Sequence, residues 1–456
     1  YWPDLPEDYY SLDNETRQNR IWAEAVEKTI AYNNEIIDTL ALADLVPRMY
    51  ELSSDHSVEV YDFAQKGCSN FTIAGDGVSR GFTSILSLNL LDEEFSVDAD
   101  HIVSNWSTVY ASKDTMIIAE PAQNWWWYWG NEKYDEATNI HRFALSSDGT
   151  ALYTGSGRIE GTVENQFSLS AFEGSLRVAS TTGQWNRWWM ENPTPPENHV
   201  YVLQQGDNNT LNTVGHIGGI AKGEKIWSAR FIGTKGYLVT FRNMDPLWTE
   251  DVSDPTKPVI AGKLDVPGVS TYIYPLSETR LLTIGYGGDE TGLNWSIEVS
   301  LFNVADFAQP ALVDHLSLFA NTSDNTTSSW GWSEAIYEHK AFQYWEPKKI
   351  LAVPLSSYRY TYKNEYDYFY EYMSKLTLLN VDNETGFSLH GSVDHSAFYN
   401  SDTSMYWCSQ DIRRSIFMGD YIYAISDRGI TANTIDNLTS TASRDLPGSD
   451  CGGYVY

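Results

Sequence analysis

Asp251-Val-Ser-Asp-Pro-Thr-Lys-Pro-Val-Ile-Ala-Gly-Lys-Leu264 aligns without gaps with Asn303-Val-Ala-Asp-Phe-Ala-Gln-Pro-Ala-Leu-Val-Asp-His-Leu316, at an offset of 52 residues. Each copy reads as a strand end, an Asp-led turn and a second strand. Asp suits such a turn because its carboxylate accepts backbone N–H groups two residues on. Weaker copies place turn-opening acids at Asp92, Asp148, Asp207, Asp254, Asp306, Asp382 and Asp436, spaced 56, 59, 47, 52, 76 and 54 residues apart. A strand–turn–strand unit at a near-constant period marks a repeat architecture.

Working outward, most turns are preceded by two further short apolar runs. Val109-Tyr-Ala goes with Met116-Ile-Ile-Ala, and Phe167-Ser-Leu with Leu176-Arg-Val-Ala. Ala229-Arg-Phe-Ile goes with Tyr237-Leu-Val-Thr-Phe241, and Ile416-Phe-Met with Tyr421-Ile-Tyr-Ala-Ile425. The unit is then four antiparallel strands, A to D, which is a propeller blade. A β-sandwich with irregular strands would not repeat one turn motif without gaps. Helical periodicity is confined to Glu15–Arg48, closed by Pro47. The expected fold is all-β, a β-propeller of four-stranded antiparallel blades. Residues 1–81 form a helical and loop insertion on one face, and 82–456 form the propeller. The expected blade number is about seven or eight.

The stretch Ile226-Trp-Ser-Ala-Arg-Phe-Ile-Gly-Thr-Lys-Gly-Tyr-Leu-Val-Thr-Phe-Arg-Asn-Met-Asp-Pro-Leu247 resembles the family of secreted β-propeller proteins distantly related to WD-repeat propellers. Ser333-Glu-Ala-Ile-Tyr-Glu-His-Lys-Ala-Phe342 and Arg414-Ser-Ile-Phe-Met-Gly-Asp-Tyr-Ile-Tyr423 carry the same resemblance. So do Leu45-Val-Pro-Arg, Cys68 and Phe82-Thr-Ser-Ile-Leu-Ser-Leu-Asn-Leu90. It covers nearly the whole chain and implies fold, not activity. In that family further blades precede the point matching Tyr1. Phe82–Ile102 also reads as strands C and D without a preceding A–B pair. The expectation is an N-terminal portion outside this chain, retained after cleavage as a second chain. The alternative is that Ser415–Ile425 joins Phe82–Ile102 in a closing blade, since open strand edges invite aggregation.

The chain has 456 residues, with 61 Asp and Glu against 30 Lys and Arg, and a net charge of −31. A nucleic-acid surface needs a basic stripe, which is lacking. No apolar run is long enough to cross a bilayer as a helix. Nine Asn-x-Ser/Thr sequons (Asn14, Asn70, Asn105, Asn208, Asn294, Asn321, Asn325, Asn383 and Asn437) are candidate glycosylation sites and fit an extracellular or cell-surface protein. Cys68, Cys408 and Cys451 are disulfide candidates. Cys68–Cys408 and Cys408–Cys451 stand as alternatives, and a leftover thiol would pair with an absent segment.

The insertions fall mostly on one face, in B–C or D–A connections: 121–137, 182–198, 287–294 and 356–374, with 317–331 and 394–411. Long loops on a rigid scaffold usually carry function. These hold Trp125, Trp126, Trp127 and Trp129, then Trp185, Trp188 and Trp189, and also Trp330, Trp332 and Trp407. Tyrosines crowd 358–372. Such aromatics suit docking of a protein partner, the cleaved N-terminal segment included, or stacking on polysaccharide rings. Alternatively the loops pack on one another as a secondary core.

Reaction motifs are absent. There is no HExxH, P-loop or complete EF-hand. The GxSxG match Gly77-Val-Ser-Arg-Gly81 leads into a strand, whereas a nucleophile elbow requires a helix. His339, His199 and His395 are the metal-ligand candidates, because ligands converge from separate blades. Arg242 and Asp245 flank a B–C turn, where they bind a ligand or pair with each other. The expected function is a non-enzymatic extracellular scaffold presenting an aromatic face to a protein or glycan. The alternative is a secreted enzyme, or a copper, zinc or calcium protein with its site at the ring mouth.

Overall fold

The computed structural model describes residues 2–46, 48–62, 71–75, 81–89, 97–104, 106–122, 136–147, 149–183, 194–241, 245–288, 295–320, 322–323, 327–364, 367–398 and 411–447. Two compact units emerge, divided near residue 106, with Ser146–Ala151 grouped with the first.

The first unit carries the helical segment. Asn14 caps the helix Glu15–Ile37 by accepting the Arg17 N–H at 3.0 Å. A short helical turn, Leu42–Leu45, follows, and Arg48 already lies in a strand. The hairpin Arg48–Leu52 with Val58–Asp62 was not read from the sequence, where this stretch has no strong alternation. Gly81–Leu88 and Val97–Ser104 pair antiparallel, as the C–D pattern requires, and Phe71–Ile73 adds a parallel strand. Among the described residues no helix is long and apolar enough to cross a membrane.

Among the described residues the second unit is a run of six antiparallel sheets, of consecutive strands in every one except blade V. Blade I comprises Thr108–Ala111, Thr115–Pro121, Ala137–Leu145 and Ala151–Glu160. Blade II comprises Leu169–Phe172, Ser175–Thr182, Glu197–Gln205 and Leu211–Ile220. Blade III comprises Lys225–Ile232, Lys235–Phe241, Asp245–Asp251 and Val259–Val266. Blade IV comprises Val269–Ser277, Arg280–Gly287, Ser296–Asn303 and Ala311–Ala320. Blade V comprises Gln343–Trp345, Ile350–Asn364, Asp367–Asp382 and Gly386–Asp394, plus Thr322–Ser323 and Thr327–Trp332. Blade VI comprises Ile412–Met418, Tyr421–Ser426, Gly429–Thr434 and Ser440–Asp445.

Side chains alternate across a strand, so an inner strand buried on both faces reads as a continuous apolar run. Leu281 packs toward blade III and Leu282 toward blade V. Ile350 packs toward blade VI and Leu351 toward blade IV. One buried cluster forms at each of the five successive blade pairs. Each fully buried Leu or Ile contributes about 1.5–3 kcal/mol.

The repeated turn folds as its Asp residues dictate. Asp254 accepts the Thr256 N–H at 2.9 Å, and Asp306 accepts that of Ala308 at 3.1 Å. Asp251 and Asn303 do the same for Ser253 and Ala305. Asp436 departs from the pattern: its carboxylate takes Lys348 Nζ at 2.6 Å, and Asn437 accepts the Thr439 N–H instead.

A second repeat is purely geometric. Val202 pairs with Gly215 and Leu203 with Thr213, leaving Val214 unpaired. The same one-residue bulge leaves Ala261, Val313, His390 and Thr441 unpaired in blades III to VI. Beside this bulge the next blade's turn is seated. A Cβ on Gly262 would lie 2.5 Å from the Ala308 carbonyl oxygen, so this contact requires glycine. Gly215 lies equally tight against Pro255, and Gly391 against Leu438. At the matching place in blade IV, Asp314 accepts the Phe387 N–H at 2.8 Å.

Candidate functional site

On the edge opposite these turns, blade V is extended. The insertion 356–374 continues its two central strands as a long hairpin, pairing from Ile350 with Asn380 out to Asn364 with Asp367. The D–A insertion joins it: Thr327–Trp332 pairs with the upper part of that hairpin, from Ser356 to Thr361. Two insertions read separately in the sequence therefore form one raised sheet.

That sheet carries an aromatic ladder. The ring centroids of Trp330 and Trp332 lie 5.0 Å apart, those of Trp332 and Tyr358 5.1 Å, and those of Tyr358 and Tyr372 5.1 Å. Its lower part is anchored. Trp332 Nε1 donates to Asp411 at 3.0 Å, and the Tyr372 hydroxyl donates to the same carboxylate at 2.6 Å. Burial, followed by the Asp411 charge and hydrogen bond, pushes the Tyr372 pKa up. Its upper part is open: Trp330 is 56% exposed.

A cavity of about 690 Å³ lies at the inner edge of blades I to V, within the usual size range of ligand pockets. Phe167 enters it from a 3-10 turn ahead of blade II, Trp227 and Tyr272 from the first strands of blades III and IV. His339 enters from a 3-10 turn ahead of blade V. Phe167 packs on Tyr272 at 5.2 Å and on His339 at 4.9 Å. Arg230 lies over the Phe167 ring at 4.7 Å, and Lys225 over Trp227 at 4.5 Å. Glu164 is open to solvent yet walled by protein, as a side chain projecting into a cavity is. That walling raises its pKa, and Lys225 partly offsets the rise. Burial lowers the His339 pKa; Glu338 opposes this, while Lys340, Arg230 and Arg414 add to it.

These sheets, their repeated turn and their register describe one repeated unit. The family described as "Beta propeller domain" matches residues 12–438. The chain belongs to that family. An uncharacterized protein of Methanocaldococcus jannaschii is 29% identical to the propeller over 374 residues, 80% of this chain and 55% of the relative. An uncharacterized protein of Archaeoglobus fulgidus is 32% identical over 231 residues, 50% of this chain and 32% of the relative. The propeller chain thus spans about half the length of the first relative and a third of the second.

Of the three candidate metal histidines, His199 lies on blade II, His339 ahead of blade V and His395 just after its last strand. His339 Nδ1 sits 3.3 Å from Glu338 Oε1. His199 Nδ1 meets His216 Nε2 at 3.2 Å, and Tyr201 stacks on His216 at 4.3 Å. Burial first, then the neighbouring His216, lowers the His199 pKa. His395 is buried, its nitrogens engaged by Ser426 at 3.1 Å and Thr431 at 2.9 Å, and burial pushes its pKa down to about 4. Among the described residues no group of three or more His, Cys, Asp or Glu is placed to hold a metal.

A row of Ser156, His141 and Glu120 occurs in blade I, at 2.6 Å and 3.3 Å. His141 and Glu120 are 1% and 0% exposed, so no substrate reaches them, and the row is a buried hydrogen-bond network. Asn14, Asn208 and Asn437 are exposed and Asn383 half-buried. Trp125, Trp126, Trp127, Trp129, Trp185, Trp188, Trp189, Trp407, Arg242, Cys68, Cys408, Cys451, Asn70, Asn105, Asn294, Asn321 and Asn325 lie outside the described residues, as does the Asp245 side chain.

Sequence reasoning missed Lys225, Arg230 as the partner of Phe167, His216 as the partner of His199, and Asp411 as the anchor of the ladder. Arg230, His216 and Asp411 meet their partners across strands or blades, whereas Lys225 lies over Trp227 two residues along its own strand. The Ile226–Leu247 motif did point to the strand bearing Trp227 and Arg230.

Proposed function

We propose that this propeller is an extracellular, non-enzymatic scaffold that presents the raised aromatic sheet of blade V to a protein partner. The observation that carries the reading is the contrast within one ladder. Trp332 and Tyr372 are fixed to Asp411, while Trp330 stands exposed above them. A rigid aromatic held from below gives contact area at low entropic cost. The acidic surface and the exposed sequons Asn14, Asn208 and Asn437 support an exterior location. Blade VI offers a second apolar surface, with Ile416, Met418 and Tyr421 exposed on one face. That face supports including a further polypeptide segment, such as a cleaved N-terminal one, among the partners.

Cross-linking mass spectrometry on the cell-surface fraction of the source organism tests this. The expected result is inter-protein cross-links concentrated beside Thr327–Trp332, lost in a folded Trp330→Ala variant. Recovery of the protein only from the cytoplasm would sink the extracellular part. Retention on a polysaccharide column that disappears with Trp330→Ala would replace the protein partner by a glycan.

A further inference from the structure

The lining of the inner cavity mixes two kinds of surface. Phe167, Trp227, Tyr272, Tyr286 and Tyr337 supply aromatic wall, and Thr108, Glu164, Asn165 and Gln166 stand among them. Much of its hydrogen-bonding capacity is unused. Among the described residues no hydrogen bond engages the Thr108 hydroxyl, the Glu164 carboxylate, the Trp227 indole N–H or the Tyr272 hydroxyl. Tyr272 is nine-tenths buried, and burial raises its pKa, so it stays a neutral donor. The Asn165 side-chain oxygen accepts the Phe167 N–H at 2.9 Å, which leaves its amide N–H groups available. The Tyr286 and Tyr337 hydroxyls share one hydrogen bond at 2.6 Å, so one hydroxyl hydrogen remains for a further acceptor.

Charge decides the class of ligand. Among the described lining residues Glu164 is the one carboxylate, and Lys225 already opposes it. Around the walls, Lys225 lies over Trp227 and Arg230 over Phe167, while Glu338 stands 3.3 Å from His339. An anion would meet Glu164 and Glu338, and a cation would meet Lys225 and Arg230. Neither sign has a site of its own. A purely apolar ligand would strip water from the unused polar groups and replace none of their hydrogen bonds. A neutral ligand with one apolar face and many hydroxyls uses both kinds of surface.

We propose that the inner cavity of blades I to V binds a neutral saccharide. A pyranose ring is apolar over the face formed by its axial C–H groups and polar round its rim. The apolar face rests on the aromatic wall. The rim hydroxyls take the place of water on Glu164, Asn165, Thr108 and the Tyr286–Tyr337 pair. The site is separate from the raised sheet, and neither proposal depends on the other.

Saturation-transfer NMR on the full chain tests this, with the methyl glycosides of glucose, mannose and galactose beside glucosamine and glucuronate. At least one neutral glycoside should bind at millimolar concentration. Transfer should be strongest to its ring C–H protons, and added salt should change the affinity little. Glucosamine and glucuronate should both bind more weakly. Tyr337 and Glu164 are exposed, so variants at these positions should fold. Tyr337→Ala and Glu164→Ala should each lower affinity at least about fivefold. Glu164→Gln should retain most of it, because an amide still bonds to hydroxyls. Binding of none of the neutral glycosides, tighter binding of either charged sugar, or unchanged affinity in both alanine variants would overturn the proposal. So would binding that is lost only with Trp330→Ala, which would put the sugar on the raised sheet.

Discussion

The two edges of the propeller blades differ in what they tolerate. At the turn edge, blades II to VI share a one-residue bulge, and at most junctions the next turn sits against backbone. At the opposite edge, blade V carries a long hairpin and an added strand, and its neighbours are shorter. The difference teaches where the architecture is fixed by sterics and where it is open to elaboration. A turn seated on a neighbour's backbone has no room to vary. A connection that ends in solvent has room to grow.

Glycine substitution should break this comparison most sharply. Gly262→Val places a branched side chain 2.5 Å from the Ala308 carbonyl, so the blade III–IV junction must shift. The expected loss is about 3–4 kcal/mol, read from the urea unfolding midpoint. Gly288, beside a connection at the opposite edge, has nothing within 4 Å of its added Cβ among the described residues. Gly288→Ala should stay within about 0.5 kcal/mol. Equal effects at the two sites would end the claim that the edges differ.

The next largest effect concerns Glu250, which follows the bulge in blade III, where blades II, IV and V place Leu203, Phe302 and Leu379. It is fully buried, and among the described residues neither carboxylate oxygen has a hydrogen-bond partner. Burial pushes its pKa from 4.5 up to about 8. The folded state therefore disfavours the charged form, and the protonated side chain is the stable occupant. Its contribution is fully present below the unfolded pKa and is lost as pH rises through that of the folded state. Over two pH units between those limits the protein should lose about 2–3 kcal/mol from this residue. Glu250→Gln should flatten that part of the pH–stability curve. An unchanged slope would mean the carboxylate finds water or a partner.

How much of this was legible follows from what each feature is made of. The offset of 52 was legible because Asp251, Asp254, Asn303 and Asp306 each act on their own backbone two residues on. The bulge was not, because Val214, Ala261, Val313, His390 and Thr441 share no chemistry and differ from their neighbours only in pairing. Asp436 misled because Asn437, one residue on, performs the same turn chemistry. The aromatic excess was legible as a surface-or-core question. It stayed undecided because the answer rests on Asp411, which approaches the ladder from the entry to blade VI. The inner cavity was least legible, since its lining comes from five blades.

The smallest effects test whether the open edge separates stability from binding within a single ladder. Trp332→Ala removes a stacked ring and leaves the Asp411 carboxylate with Tyr372 alone, so a loss of about 2 kcal/mol is expected. Trp330 lies one alternation further along the same strand face, 56% exposed, with its stacking on Trp332 and Tyr358 as the main contact. Trp330→Ala should therefore cost about 0.5 kcal/mol, while abolishing whatever the raised sheet holds. Thermal melts of the two variants beside the cross-linking measurement distinguish the cases. If Trp330→Ala destabilises as much as Trp332→Ala, the whole ladder is a secondary core, and the binding surface has to be sought elsewhere on the propeller.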